Sequence, residues 1–160
     1  MNLFKALAGI FTMVSADKVE DYTIAGINCH SVTGGPSDQA AAYDKVIIFL
    51  HGTEMSGTMM KSMVYDNGFL GDITGYKYVF PDGLRPNGQG GFQWFEMYAP
   101  TYGCTPLDTC AYNVESINLA ANSLTQVINH EKGLVNNDNK NVFLAGFSQG
   151  GMMAYHMQLG

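Results

Sequence analysis

Three apolar runs constrain this chain more than any other feature: Lys45–His51 (KVIIFLH), Tyr76–Gly83 (YKYVFPDG) and Asn141–Phe147 (NVFLAGF). Each is nearly continuous, without the clean alternation of a strand that has one wet face, and each meets a glycine or proline. Such runs fit strands buried on both faces of a parallel sheet. Parallel strands need crossovers, and residues 113–133 supply one. Val114, Ile117, Ala121, Leu124 and Ile128 recur at helical spacing, with Asn113 placed to cap the start and Gly133 the end. The spacing predicts an amphipathic helix of about five turns. A shorter helix is expected within residues 56–68, and another opening at Gln149. Residues 22–32 (YTIAGINCHSV) read as a strand pair or an edge strand, closed by the turn cluster TGGPSD. Strands alternating with helices make the fold class α/β, with a mostly parallel sheet. The aromatic-rich stretch 90–103 (GGFQWFEMYAPTYG) reads as a long loop with apolar anchors.

Eight basic residues against fourteen acidic ones give a net charge of −6, and no Lys/Arg cluster occurs. Nucleic acid is therefore not an expected partner. Residues 1–16 carry one early charge at Lys5, a nine-residue apolar stretch from Ala6 to Val14 and small residues ending at Ala16. This pattern resembles a secretory signal cleaved after Ala16, leaving residues 17–160 as the domain and favouring a secreted over a cytoplasmic location. A packed N-terminal helix is the alternative. The stretch falls short of the roughly 18 residues of a spanning helix, so no transmembrane segment is read. Cys104 and Cys110 can close a small disulfide loop in an oxidising compartment, leaving Cys29 over; in the cytosol all three are reduced thiols. Two cysteines without nearby histidines make a poor metal site, and neither metal nor cofactor is expected.

The chemistry concentrates at Gly146-Phe147-Ser148-Gln149-Gly150. A serine on a sharp strand-to-helix turn has its hydroxyl thrust clear of the backbone, and only glycine-sized neighbours tolerate the crowding. A helix opening at Gln149 aims its N-terminal amides at the same point, where they can stabilise an oxyanion. His51-Gly52-Thr53 follows an earlier buried strand, where a second oxyanion donor is expected. The candidates are Ser148 as nucleophile and the Thr53 and Gln149 amides as oxyanion donors. His51 reads as a residue that holds the loop backbone rather than as a general base. Trp94 reads either as a wall of an acyl channel or as core packing of the long loop, and Asp82 and Glu96 as turn and surface residues. Met55, Met59, Met60 and Met63 are either an adaptable lipid-binding face or helical core.

The segments VIIFLHGTEMSG, FPDGLRPNGQGGFQWFEM and VFLAGFSQGGMMAY together resemble the phospholipase/carboxylesterase family, which includes acyl-protein thioesterases, over about residues 20–160. The resemblance implies an α/β-hydrolase fold, with Ser148 attacking an ester or thioester that carries an acyl chain, as a carboxylesterase, lysophospholipase or acyl-protein thioesterase does. The rival readings are a secreted polyester or dienelactone hydrolase relative and a non-catalytic lipid- or partner-binding protein. The chain departs from the family twice. Thr53-Glu54-Met55 stand where the family usually carries Leu-Gly-Asp, and the residues after Ser148 hold no acid and one histidine, His156. On a helix His156 lies about 12 Å of rise from Ser148, out of hydrogen-bonding reach. The expectation is an N-terminal portion of a hydrolase, lacking roughly 50 to 80 residues that would carry the triad Asp and His and inactive by itself.

Overall fold

A computed structural model describes residues 17–34, 43–69, 75–88, 90–98 and 111–159. The leader reading for residues 1–16 and the Cys104–Cys110 pairing lie outside them. The chain opens with a hairpin, β1 (Lys18–Ile24) and β2 (Ile27–Thr33), whose register runs from Lys18↔Thr33 to Ile24↔Ile27. Ala25 and Gly26 turn it with φ of 51° and 79°. Two successive positive φ values match the right-handed twist of the flanking strands, as in a type I′ turn.

The three apolar runs are strands β3 (Lys45–Leu50), β4 (Tyr76–Pro81) and β9 (Val142–Gly146). The five-stranded sheet has the order β1-β2-β4-β3-β9. β4, β3 and β9 run parallel, and β2 joins β4 antiparallel. Among the described residues β9 is an outer strand, and Phe143 on it is 45% exposed.

Helices cover both faces. Helix α1 (Gly57–Lys61), capped by the Ser56 hydroxyl, runs into a π-helical turn over Ser62–Asp66. Its Met60 and Val64 pack with Val32, Tyr78 and Phe80 on one face, beside Ile47 and Phe49. Helices α2 (Val114–Leu134) and α3 (Gln149–Leu159) take the other face, where Val46, Ile48 and Leu50 meet Ala120, Leu124, Val127 and Met153. Alternate β3 residues thus feed opposite cores, which is why that run shows no polar face. The long loop carries two short ribbons, β5 (Arg85–Pro86) with β6 (Phe92–Gln93) and β7 (Met97–Tyr98) with β8 (Ala111–Tyr112).

Asn113 caps α2 as expected, accepting from Ser116 N at 3.0 Å. The other end differs. The helix continues through Gly133 to Leu134, and left-handed Asn136 and Asn137 stop it, with Asn137 N donating to Lys132 O at 3.0 Å. The buried stripe is also rotated from the expected one: Val114 is 65% exposed while Ser116, Ser123 and Glu131 are buried. Glu131 tolerates burial because Lys77 Nζ lies 2.8 and 3.1 Å from its two carboxylate oxygens and Tyr22 OH donates to it. Burial and the neighbouring carboxylate hold the Tyr22 phenol far above its usual range, so it remains a donor.

Removing one partner strands the other charge in the interior. Glu131→Ala should cost about 3–5 kcal/mol in urea unfolding, whereas the double change Lys77→Met with Glu131→Met should recover most of that loss. Equal losses for the single and double variants would show that the pair is not the reason Glu131 is buried.

Candidate active site

β9 ends at Gly146 and α3 begins at Gln149, leaving Phe147 and Ser148 to reverse the chain. Phe147 N continues the ladder to Leu50 O at 3.0 Å, and Gly150 N donates back to Phe147 O at 2.9 Å. Ser148 stands between them with φ 51°, exposed. A left-handed β-carbon-bearing residue costs about 1–2 kcal/mol, so the surrounding contacts must enforce it. Those contacts are made by glycines. A Cβ on Gly146 would fall within 3.0 Å of Gly150, and one on Gly150 within 3.0 Å of the Leu50 and His51 carbonyl oxygens. Both glycines of the pentapeptide are therefore steric necessities of the turn.

The loop after β3 touches this turn directly. A Cβ on Gly52 would meet the Phe147 ring at 3.0 Å and Ser148 Cβ at 3.3 Å. Gly52 to Met55 form a turn closed by Met55 N donating to Gly52 O at 3.2 Å, with Glu54 at φ 66°. Glu54 N donates to Phe92 O at 3.0 Å, and Phe92 N to Met55 O at 2.7 Å, binding the loop to β6. The Glu54 and Met55 amides are thus engaged. Among the described residues the Thr53 and Gln149 amides donate to no other group.

His51 is fully buried. Its Nε2 accepts from Gly83 N at 2.9 Å, so Nδ1 carries the proton and donates to Gly52 O at 2.7 Å. Burial lowers its pKa below the ordinary 6.5 and keeps the ring neutral. With both nitrogens engaged, His51 holds the loop and has no free lone pair for a serine proton. The other three of the four histidines are placed elsewhere. His30 lies between Asp21, at 2.8 Å, and Asp82, at 3.6 Å. His130 packs its ring on Tyr22, and His156 on α3 lines a small hollow with Phe95 and Tyr112.

Trp94 is 0% exposed, its indole N–H donating to His51 O at 2.9 Å. The Gln149 side chain, 2% exposed, accepts from Trp94 N and donates to Phe95 O, each at 2.8 Å. Asp82 corrects the surface reading. It is 6% exposed, and its carboxylate accepts from Gly57 N at 2.7 Å, fixing the start of α1. Glu96 pairs with Arg85 and accepts from Asn113 Nδ2 at 2.8 Å, joining the loop to the α2 cap. Of the methionines, Met60 is core, while Met59 and Met63 are about half exposed. No group of three or more metal-binding side chains is gathered among the described residues, and no described helix is long and apolar enough to cross a membrane.

A family model for phospholipases and carboxylesterases matches residues 36–160. The chain belongs to that family. Among solved structures it is similar to a carboxylesterase from Mesorhizobium loti, with TM-score 0.63 and 15% identity over 88% of this chain and 58% of the other. It is also similar to the esterase PE8, with TM-score 0.59 and 15% identity over 88% of this chain and 56% of the other. Likeness at such identity shows the α/β-hydrolase fold. The chain spans somewhat more than half the length of these relatives. No curated protein sequence matches it.

Glu54 holds a φ of 66°, a left-handed conformation that favours glycine over a residue with a β-carbon. Glu54→Gly should raise stability by about 0.5–1 kcal/mol in urea unfolding, the relief of left-handed strain exceeding the entropy added to the unfolded chain. A loss of stability would mean that the Glu54 side chain makes a compensating contact.

Proposed function

We propose that the protein is a serine hydrolase of carboxylic esters or thioesters bearing acyl chains, with Ser148 as nucleophile. The observation that carries this reading is the left-handed Ser148, held between β9 and α3 by glycine contacts and touching the loop that bears Thr53. Ser148 Oγ attacks the acyl carbonyl, and the carbonyl electron pair moves onto oxygen. The Thr53 and Gln149 amides stabilise that oxyanion. Collapse expels the alcohol or thiol, which takes up the serine proton by way of a base, and leaves an acyl-serine; water then releases the carboxylic acid and restores Ser148. An apolar cavity of about 260 Å³ beside the turn, lined by Phe49, Met60, Met63, Val64, Phe69 and Phe147, suits an acyl chain.

None of the four histidines is placed to give Ser148 a base: His51 has both ring nitrogens engaged, and His30, His130 and His156 sit against other partners. The same observation favours a second reading, a non-catalytic protein of this fold that binds a lipid or a partner. A fluorophosphonate probe and an acyl thioester assay separate them. In the whole protein, labelling should map to Ser148 and Ser148→Ala should lower kcat/KM about ten-thousandfold. The 160-residue chain alone should hydrolyse thioesters no faster than its own Ser148→Ala variant. Activity indifferent to Ser148 in the whole protein would sink the nucleophile assignment.

A further inference from the structure

Three segments distant in sequence are locked together behind Ser148. Gln149 follows Ser148 as the first residue of α3, and its side chain turns inward to the Trp94 amide and the Phe95 carbonyl. The Trp94 indole N–H then reaches His51 O, and its ring packs on the His51 imidazole at 5.0 Å. The imidazole is itself fixed, between Gly83 N and Gly52 O. The bonds therefore run without a break from Gln149 to Gly52, the residue before Thr53.

Resting on the reading of Ser148 as nucleophile, we infer that Trp94 and the Gln149 carboxamide are positioning residues for the oxyanion site. They hold the Thr53 loop at a fixed distance from the serine turn, and Trp94 does not line the acyl site. An acyl-channel wall needs accessible surface, and Trp94 has none. Simple packing needs bulk but no particular hydrogen bonds, whereas here the indole N–H, the Trp94 amide and both ends of the carboxamide are each paired. Trp94, His51 and Gln149 are all buried, so loss of one bond leaves a buried polar group unsatisfied and gives the loop reason to shift. A displacement of about 1 Å at a reacting centre can cost on the order of a hundredfold in rate.

The test measures ester kinetics and alkylboronic acid inhibition on the whole protein, the boronate standing in for the tetrahedral adduct. The variants are Trp94→Phe, Gln149→Met and 3-benzothienylalanine at position 94, which keeps the indole shape without its N–H. Positioning predicts that kcat falls about ten- to hundredfold and boronate affinity falls by a similar factor, while KM changes by less than about twofold. If Trp94→Phe does not fold, the benzothienylalanine variant decides. Unchanged kcat and boronate affinity in folded variants would overturn the inference. So would a KM that rises with acyl length, the signature of a substrate wall. Full activity in Ser148→Ala would instead mark failure of the nucleophile reading.

Discussion

No side chain fits between Gly150 and the end of β3. A Cβ there would collide with the carbonyl oxygens of Leu50 and His51, and the rest of the site follows from that close approach. With α3 seated this low, its first residue, Gln149, next to Ser148, pushes its carboxamide into the interior. Gly146 allows the chain to reverse above Gly150, and Gly52 allows the neighbouring loop to press against the Phe147 ring. Any larger residue at these three places would push apart the strand end, the Ser148 turn and the loop after β3.

The polar groups behind the serine set how the pieces of the site are joined. His51, Trp94 and Gln149 are buried and joined by directed bonds, which in a low-dielectric interior favour one arrangement over nearby ones. Asp82 adds a second anchor, tying the α1 start to the segment that also offers Gly83 N to His51. The other end of the sheet repeats the device with Lys77, Glu131 and Tyr22. The hydrophobic clusters supply the burial energy, at roughly 1.5–3 kcal/mol for each large apolar side chain. Buried polar groups fix how the pieces meet.

The sequence told most where the cause was local. The three strands, the Asn113 cap and the strand-to-helix turn at Ser148 were all legible, because periodicity, capping chemistry and glycine spacing act within a few residues. Place in the sheet was less so. β9 is as apolar as β3, and an apolar run alone does not say which strands flank it; among the described residues it lies at an edge. The α2 stripe was misphased because Glu131 is held inside by Lys77 and Tyr22, which are 54 and 109 residues away. The inward Gln149 side chain was hidden for the same reason, its partners lying 55 and 54 residues away. Asp82 looked like a turn residue because its acceptor role depends on Gly57, which only the folded chain brings to it.

With Ser148 as the nucleophile, the Ser148 turn and the Thr53 loop are proposed to converge on one reacting oxygen. A crystal structure of the whole protein phosphonylated at Ser148 tests it most directly. The expected result is a phosphonyl oxygen about 3 Å from both the Thr53 and Gln149 nitrogens, with the Gln149 side chain still bonded to the Trp94 and Phe95 backbone. A phosphonyl oxygen directed to solvent or held by other donors, or Thr53 and Gln149 nitrogens more than about 6 Å apart, would contradict it.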